Sequence, residues 1–180
     1  CYSYLSEIKK AMRISDPKNE FVELDSWNDE LEMQHIKMQQ QYEGINVYGG
    51  QVILHGSEGA INKVNGTYFP TPSLNDLIPS VQSEAAIETV IQNLKTVTVY
   101  TEIEEFETTY VSHSTPTAEL VIYHKDRNLS SEKLVWHISI HPNVLEHWYY
   151  FVDARTGEII ESDNTTCTDG PTTAQATDLN

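Results

Sequence analysis

Apolar side chains at Leu5, Ile8, Ala11 and Met12 share one helical face, and Lys9, Lys10 and Arg13 come late in the run, where the helix dipole favours cations. The pattern predicts a short amphipathic helix over 3–15. Asp16-Pro17-Lys18-Asn19 is turn chemistry, and Phe21, Val22 and Leu24 predict a short strand. Residues 28–41 carry Leu31, His35 and Met38 among Glu and Gln, leading to Tyr42, and fit either a helix or a long, half-buried strand. From Gly44 to His55 the pattern is a strand broken at Gly49-Gly50, which predicts a bulge or a close backbone approach. Ser57-Glu58-Gly59 makes a turn. Ala60 to Phe69 returns as a second strand, broken by the turn signal Asn65-Gly66.

Pro70, Pro72 and Pro79 mark residues 70–80 as a linker. Beyond it Ala85, Ile87, Val90, Ile91 and Leu94 define a helix, with Ser80 or Ser83 as N-cap and Glu84 in the first turn. Residues 97–118, rich in Thr and Glu, predict a strand fragment and a loop. The remainder is β: Leu120 to Tyr123, then Leu134, Trp136, Ile138 and Ile140 alternating with Val135, His137, Ser139 and His141. Trp148 to Asp153 follows, with a turn at Ala154 to Gly157 and a return at Glu158-Ile159-Ile160. A helix followed by antiparallel strands, twice over, is an α+β arrangement with a helix on one face of each sheet. The expected partition is 1–70, a linker at 71–80, a second unit at 81–163, and a flexible tail at 164–180 whose Thr, Asp, Ala and Gly have little to bury.

Composition narrows the function. Acidic residues number 27 against 11 basic ones, a net charge of −16, so neither nucleic acid nor an anionic membrane surface is an expected partner. No run approaches the ~20 apolar residues that span a bilayer. The chain opens Cys1-Tyr2-Ser3 without a basic start or an apolar run, which predicts a processed product or an expressed fragment rather than a signal peptide. Cys1 and Cys167 lack the C-x-x-C spacing of a zinc site and read as unpaired or incidentally paired thiols near mobile ends.

Catalytic chemistry is not apparent. There is no H-E-x-x-H, G-x-S-x-G or phosphate-binding loop. His137 and His141, four apart on a strand, lie about 13 Å apart, too far to share one metal. They are expected on the solvent side, with His147 approaching His141 across a hairpin. Glu102, Glu104 and Glu105 are expected on a solvated face. N-x-S/T sequons begin at Asn65, Asn128 and Asn164.

Two stretches carry a resemblance. The run from His35 through Gln40, Tyr42, Gly44, Val47, Gly49 and Gly50 to Val52, followed by Val64-Asn65-Gly66, resembles the fungalysin/thermolysin propeptide domain. Lys37 stands where that family usually has Arg, and Asn46 where Pro is common. The stretch from Val81 to Leu94, Leu134-Val135-Trp136, and Tyr150 to Ile160 with Val152, Asp153 and Gly157 resemble the helix and final strands of a PepSY domain. Residues 97–118 resemble neither.

That order of domains implies the pro-region of a secreted thermolysin-type zinc metallopeptidase, built of two cystatin-like units in tandem. The resemblance implies a non-catalytic inhibitor and folding assistant whose partner is the catalytic domain. It implies no cofactor in this chain, zinc and calcium belonging to the catalytic domain. Cys167 is a candidate zinc-reaching group, by analogy with the thiol switches of other zymogens. The alternatives are a stand-alone secreted inhibitor or binding module, and an enzyme of unknown type.

Overall fold

The computed structural model describes residues 1–57, 59–125 and 131–166. The helix α1 spans Tyr2–Met12 and ends on Arg13 in the left-handed region, with φ 59°. A single turn, α2 (Pro17–Glu20), is capped by the Asp16 side chain, which accepts from Lys18 N–H. The strands β1 (Phe21–Asn28), β2 (Gln34–Tyr42), β3 (Ile45–Ser57) and β4 (Ala60–Gly66) follow. The residues that fitted either helix or strand are therefore β2, whose burial alternates from Ile36 through Met38 to Gln40. Its Ile36 and Met38 meet Leu5, Met12, Phe21, Val52 and Leu54 in the first core beneath α1.

In the second half α3 (Ser83–Val97) precedes a short 3-10 segment at Glu105–Tyr110, then β5 (Thr117–His124), β6 (Glu132–Asn143), β7 (Glu146–Asp153) and β8 (Ile159–Asn164). Ala86, Val90 and Leu94 of α3 pack on Ile138, Ile140, Tyr150 and Val152. Three sequence expectations change. The N-cap of α3 is Gln82, with no side-chain cap, so neither Ser80 nor Ser83 holds that place. Before Thr117, residues 97–118 hold the 3-10 turn rather than a strand, because Glu104 N–H donates to the Glu107 carboxylate at 2.9 Å and closes the chain locally. Cys1 is no loose end, since it packs half-buried beside Tyr2 and Tyr4 against the first core.

The two helix-on-sheet units share one eight-stranded sheet, β1-β2-β3-β5-β6-β7-β8, with β4 also paired to β3. The junction is narrow. Asn46 and Val47 at the start of β3 pair in parallel with Val121 and Ile122, while the far end of β3 pairs with β4. Residues 70–80, expected as a linker, are strapped to both units. Thr71 N–H donates to Arg13 O, Arg155 is ion-paired to Asp76 at 2.7 Å, and Ser80 and Val81 N–H both donate to Ala154 O. Leu74 and Leu77 pack on Val47, Phe69 and Ile122. Among the described residues no helix is long and apolar enough to cross a membrane.

Candidate functional site

Side chains alternate across a strand, so the residues facing away from α1 and α3 follow from the cores. They form the uncovered side of the sheet. Tyr48 is its centre. Its ring lies 4.9 Å from both His137 and Phe151 and 5.8 Å from Tyr123, so a β3 side chain touches three strands of the second unit. Tyr149 joins at 5.0 Å from His137. Beside it Leu24, Gln39, Gln51, Val121 and His137 line one shallow depression, which makes the uncovered faces of both units continuous. Val22, Leu24 and Trp27 extend the face along β1 with side chains 40–52 % exposed.

The electrostatics of this face are set by burial among acids. Burial raises the Tyr123 phenol well above its ordinary value, and the hydrogen bond it donates to Glu161 at 2.7 Å adds to that. Burial lowers the His137 pKa, against a weaker pull from Glu119, and its Nε2 has no hydrogen-bond partner among the described residues. His137 therefore lies on the uncovered side, as its alternation suggested, but half-buried within the aromatic cluster.

At the end of the same face three imidazoles converge. His141 on β6 and His147 on β7 stack at 4.3 Å across the hairpin, and His113 approaches from the segment before β5, 5.0 Å from His141. One ring nitrogen from each lies within 4.8 Å of the others. The loop histidine was not legible in the sequence, because nothing local ties residue 113 to a hairpin about 30 residues downstream.

The sequence-predicted motif residues sit elsewhere, at turns and at the junction. Gln40 is fully buried and hydrogen-bonded to Phe69. Tyr42 packs near Val47 on Phe69 and Ile122. Gly44, Gly49, Gly66 and Gly157 all have positive φ. A Cβ on Gly50 would meet Gln40 Cβ at 3.0 Å. Asn65 is exposed and pairs with Ile53. Val152 is in the second core. Asp153 accepts from Lys133 Nζ at 2.9 Å and from Arg155 N–H at 2.9 Å, closing the turn that ends on Gly157. These residues build the frame that presents the uncovered face. Cys167 lies outside the described residues.

Two family models match the chain, one on each side of residues 70–80. Residues 19–68 match the Fungalysin/Thermolysin Propeptide Motif, and residues 82–163 match the Peptidase propeptide and YPEB domain, PepSY. The chain is 25 % identical over 174 residues to a bacillolysin of Brevibacillus brevis, covering 91 % of this chain and 30 % of that protein. It is 26 % identical over 172 residues to a thermolysin of Alicyclobacillus acidocaldarius subsp. acidocaldarius, covering 91 % and 29 %. It thus spans less than a third of the length of these curated relatives. The Bacillus megaterium YpeB C-terminal domain superposes with a TM-score of 0.42 at 16 % identity, over 90 % of this chain and 62 % of that one. Residues 19–68 thus carry an FTP propeptide motif and residues 82–163 a PepSY propeptide domain, in a chain similar along most of its length to part of bacillolysin and of thermolysin.

Proposed function

We propose that this chain is the pro-region of a thermolysin-type metallopeptidase, which inhibits the catalytic domain and assists its folding. The observation that carries the reading is the match of both propeptide domains, in order, beside an alignment with bacillolysin that covers 91 % of this chain but only 30 % of that protein. The uncovered sheet face supplies the docking surface, and its occupant is the catalytic domain carried in the remaining length of such a precursor. A pro-region that binds only the native-like enzyme stabilises it by mass action. Within one chain it does so at a high effective concentration. The net charge of −16 adds steering to the encounter. The reading extends to a secreted precursor, and to a chain that supplies no catalytic group of its own.

The test adds the full chain in trans to its mature peptidase and follows residual activity beside direct binding. Inhibition is the expected result, with added salt slowing association more than it speeds dissociation. A chain that neither binds nor inhibits the enzyme overturns the proposal. Removing residues 164–180 separates two modes. If the tail occludes the cleft, the shortened chain binds but inhibits much less; if the sheet face blocks it, inhibition is retained.

A further inference from the structure

The three-histidine cluster at the end of the uncovered face has the chemistry of a metal site. The ring protons can be placed from the acceptors around them. His141 Nδ1 lies 2.9 Å from Glu146 O, and His113 Nδ1 lies 2.9 Å from Thr115 O. A carbonyl only accepts, so both Nδ1 atoms carry hydrogen. In the neutral rings this leaves a lone pair on each Nε2. Such an Nδ1–H to carbonyl bond is the outer contact that orients a metal-binding imidazole. The Nε2 atoms are held by serine hydroxyls. Ser112 Oγ lies 3.0 Å from His141 Nε2, while Ser139 Oγ lies 2.8 Å from His113 Nε2 and 2.7 Å from His147 Nε2. Ser139 has one hydroxyl hydrogen, which goes to the His113 lone pair, so His147 Nε2–H donates to Ser139 Oγ.

We propose that His113, His141 and His147 bind a divalent transition-metal ion through their Nε2 atoms, with Zn2+ the representative ion and water in the fourth position. Imidazole is a favoured ligand of such ions, and three protein ligands with an open position is an established zinc arrangement. Tetrahedral Zn–N bonds of about 2.0–2.1 Å bring the nitrogen atoms to roughly 3.3 Å apart. One ring nitrogen of each histidine already lies within 4.8 Å of the others, and a modest turn of His113, the one ligand not held in a strand, closes the Nε2 atoms to that spacing. On binding, His147 moves its ring proton from Nε2 to Nδ1, so the site gains the full charge of the cation. The acidic chain raises the local cation concentration. The bound ion would clamp the segment before β5 onto the β6–β7 hairpin.

The experiment is calorimetric titration of the full, chelator-treated chain with Zn2+, paired with Co2+ absorption to report the ligand geometry. One ion per chain is expected, with a tetrahedral Co2+ spectrum. His113→Ala, in an irregular segment where misfolding is least expected, should weaken binding by more than a hundredfold, beyond the roughly 10–100-fold that loss of an outer contact typically costs. A Cys1→Ser/Cys167→Ser double variant should bind as the parent does. Circular dichroism of each variant confirms the fold. Absence of one-to-one binding, affinity unchanged in His113→Ala, or binding lost with the two cysteines overturns the proposal.

Discussion

Gln40 and Phe69 are joined by two reciprocal hydrogen bonds: Gln40 Nε2 donates to Phe69 O at 2.7 Å, and Phe69 N–H donates to Gln40 Oε1 at 2.8 Å. The amide thus replaces a missing strand partner for the chain beyond β4, and holds the Phe69 ring stacked on His124 at 4.1 Å. Gln40→Leu leaves both Phe69 backbone groups buried without partners. A loss of about 2–6 kcal/mol is expected in urea unfolding, since each of the two orphaned groups costs about 1–3 kcal/mol. A loss below ~1 kcal/mol contradicts the assignment.

The glycines of the same motif separate into two kinds. Gly66 has φ +121°, and a Cβ there would lie 2.3 Å from Gln51 O, a backbone atom that cannot move aside. Gly49 has φ +70° with open space around it. Gly66→Ala should therefore cost more than ~3 kcal/mol or prevent folding, whereas Gly49→Ala should cost only about 1–2 kcal/mol for the left-handed backbone. Equal losses in denaturant melts would contradict the distinction.

Acid should unfold the chain in two stages. Burial holds the His137 pKa below its ordinary 6.5. Its neutral form is thus fully compatible with the fold above pH 6.5, and stability falls as pH drops below 6.5, where the unfolded chain takes up the proton first. Burial lowers His55, His141 and His147 likewise, so His137→Gln should shrink this limb without abolishing it. Asp153 is the second stage. Burial alone would raise its pKa, but Lys133 and the N–H groups of Arg155 and Thr156 outweigh that and hold it below the ordinary 3.8. Its contribution is present above pH 3.8 and is lost as pH falls through the lower folded value. Asp29, Asp76 and Glu146 are lowered likewise, so Asp153→Asn should shrink that limb without abolishing it in melts scanned from pH 7 to 2.

Docking through the uncovered face predicts a polarity between the two sides of the sheet. Tyr48→Lys places a charge at the centre of the aromatic cluster and should weaken binding to the catalytic domain by about 1.4 kcal/mol or more, tenfold in affinity, as for loss of an interface anchor. Val97→Lys, at the exposed C-terminal end of α3, should leave affinity unchanged. The reverse order would move the interface to the helical side.

Periodicity made α1 and α3, the β6–β7 pair and the glycine break in β3 legible, because each is a local pattern set by one buried face. Residues 28–41 stayed ambiguous because Leu31, His35 and Met38 mimic a helical spacing, while Leu31 is in fact 81 % exposed in the turn before β2. The pairing of Val47 with Ile122 left no local trace, since it joins segments through space alone. The same holds for the candidate site. Tyr48 is one Tyr among 10 in the sequence, and only the fold sets it against His137 and Phe151. Pro70, Pro72 and Pro79 likewise made residues 70–80 read as a spacer, although Pro72 is buried and Arg155 reaches Asp76.

The parallel register of Asn46–Val47 with Val121–Ile122 bears on the order of assembly. Every other ladder in the sheet joins strands consecutive in the chain, and so closes a short loop. This one closes about 75 residues, and its entropic cost grows with that length as (3/2)RT ln n. It repays little until both hairpin sets exist. The half ending at Gly66 can therefore form its core while later residues are still being synthesised, and β5 then docks on a strand already in place. Nucleation should run with the direction of translation, leaving the two-residue seam as the last contact made and the first released.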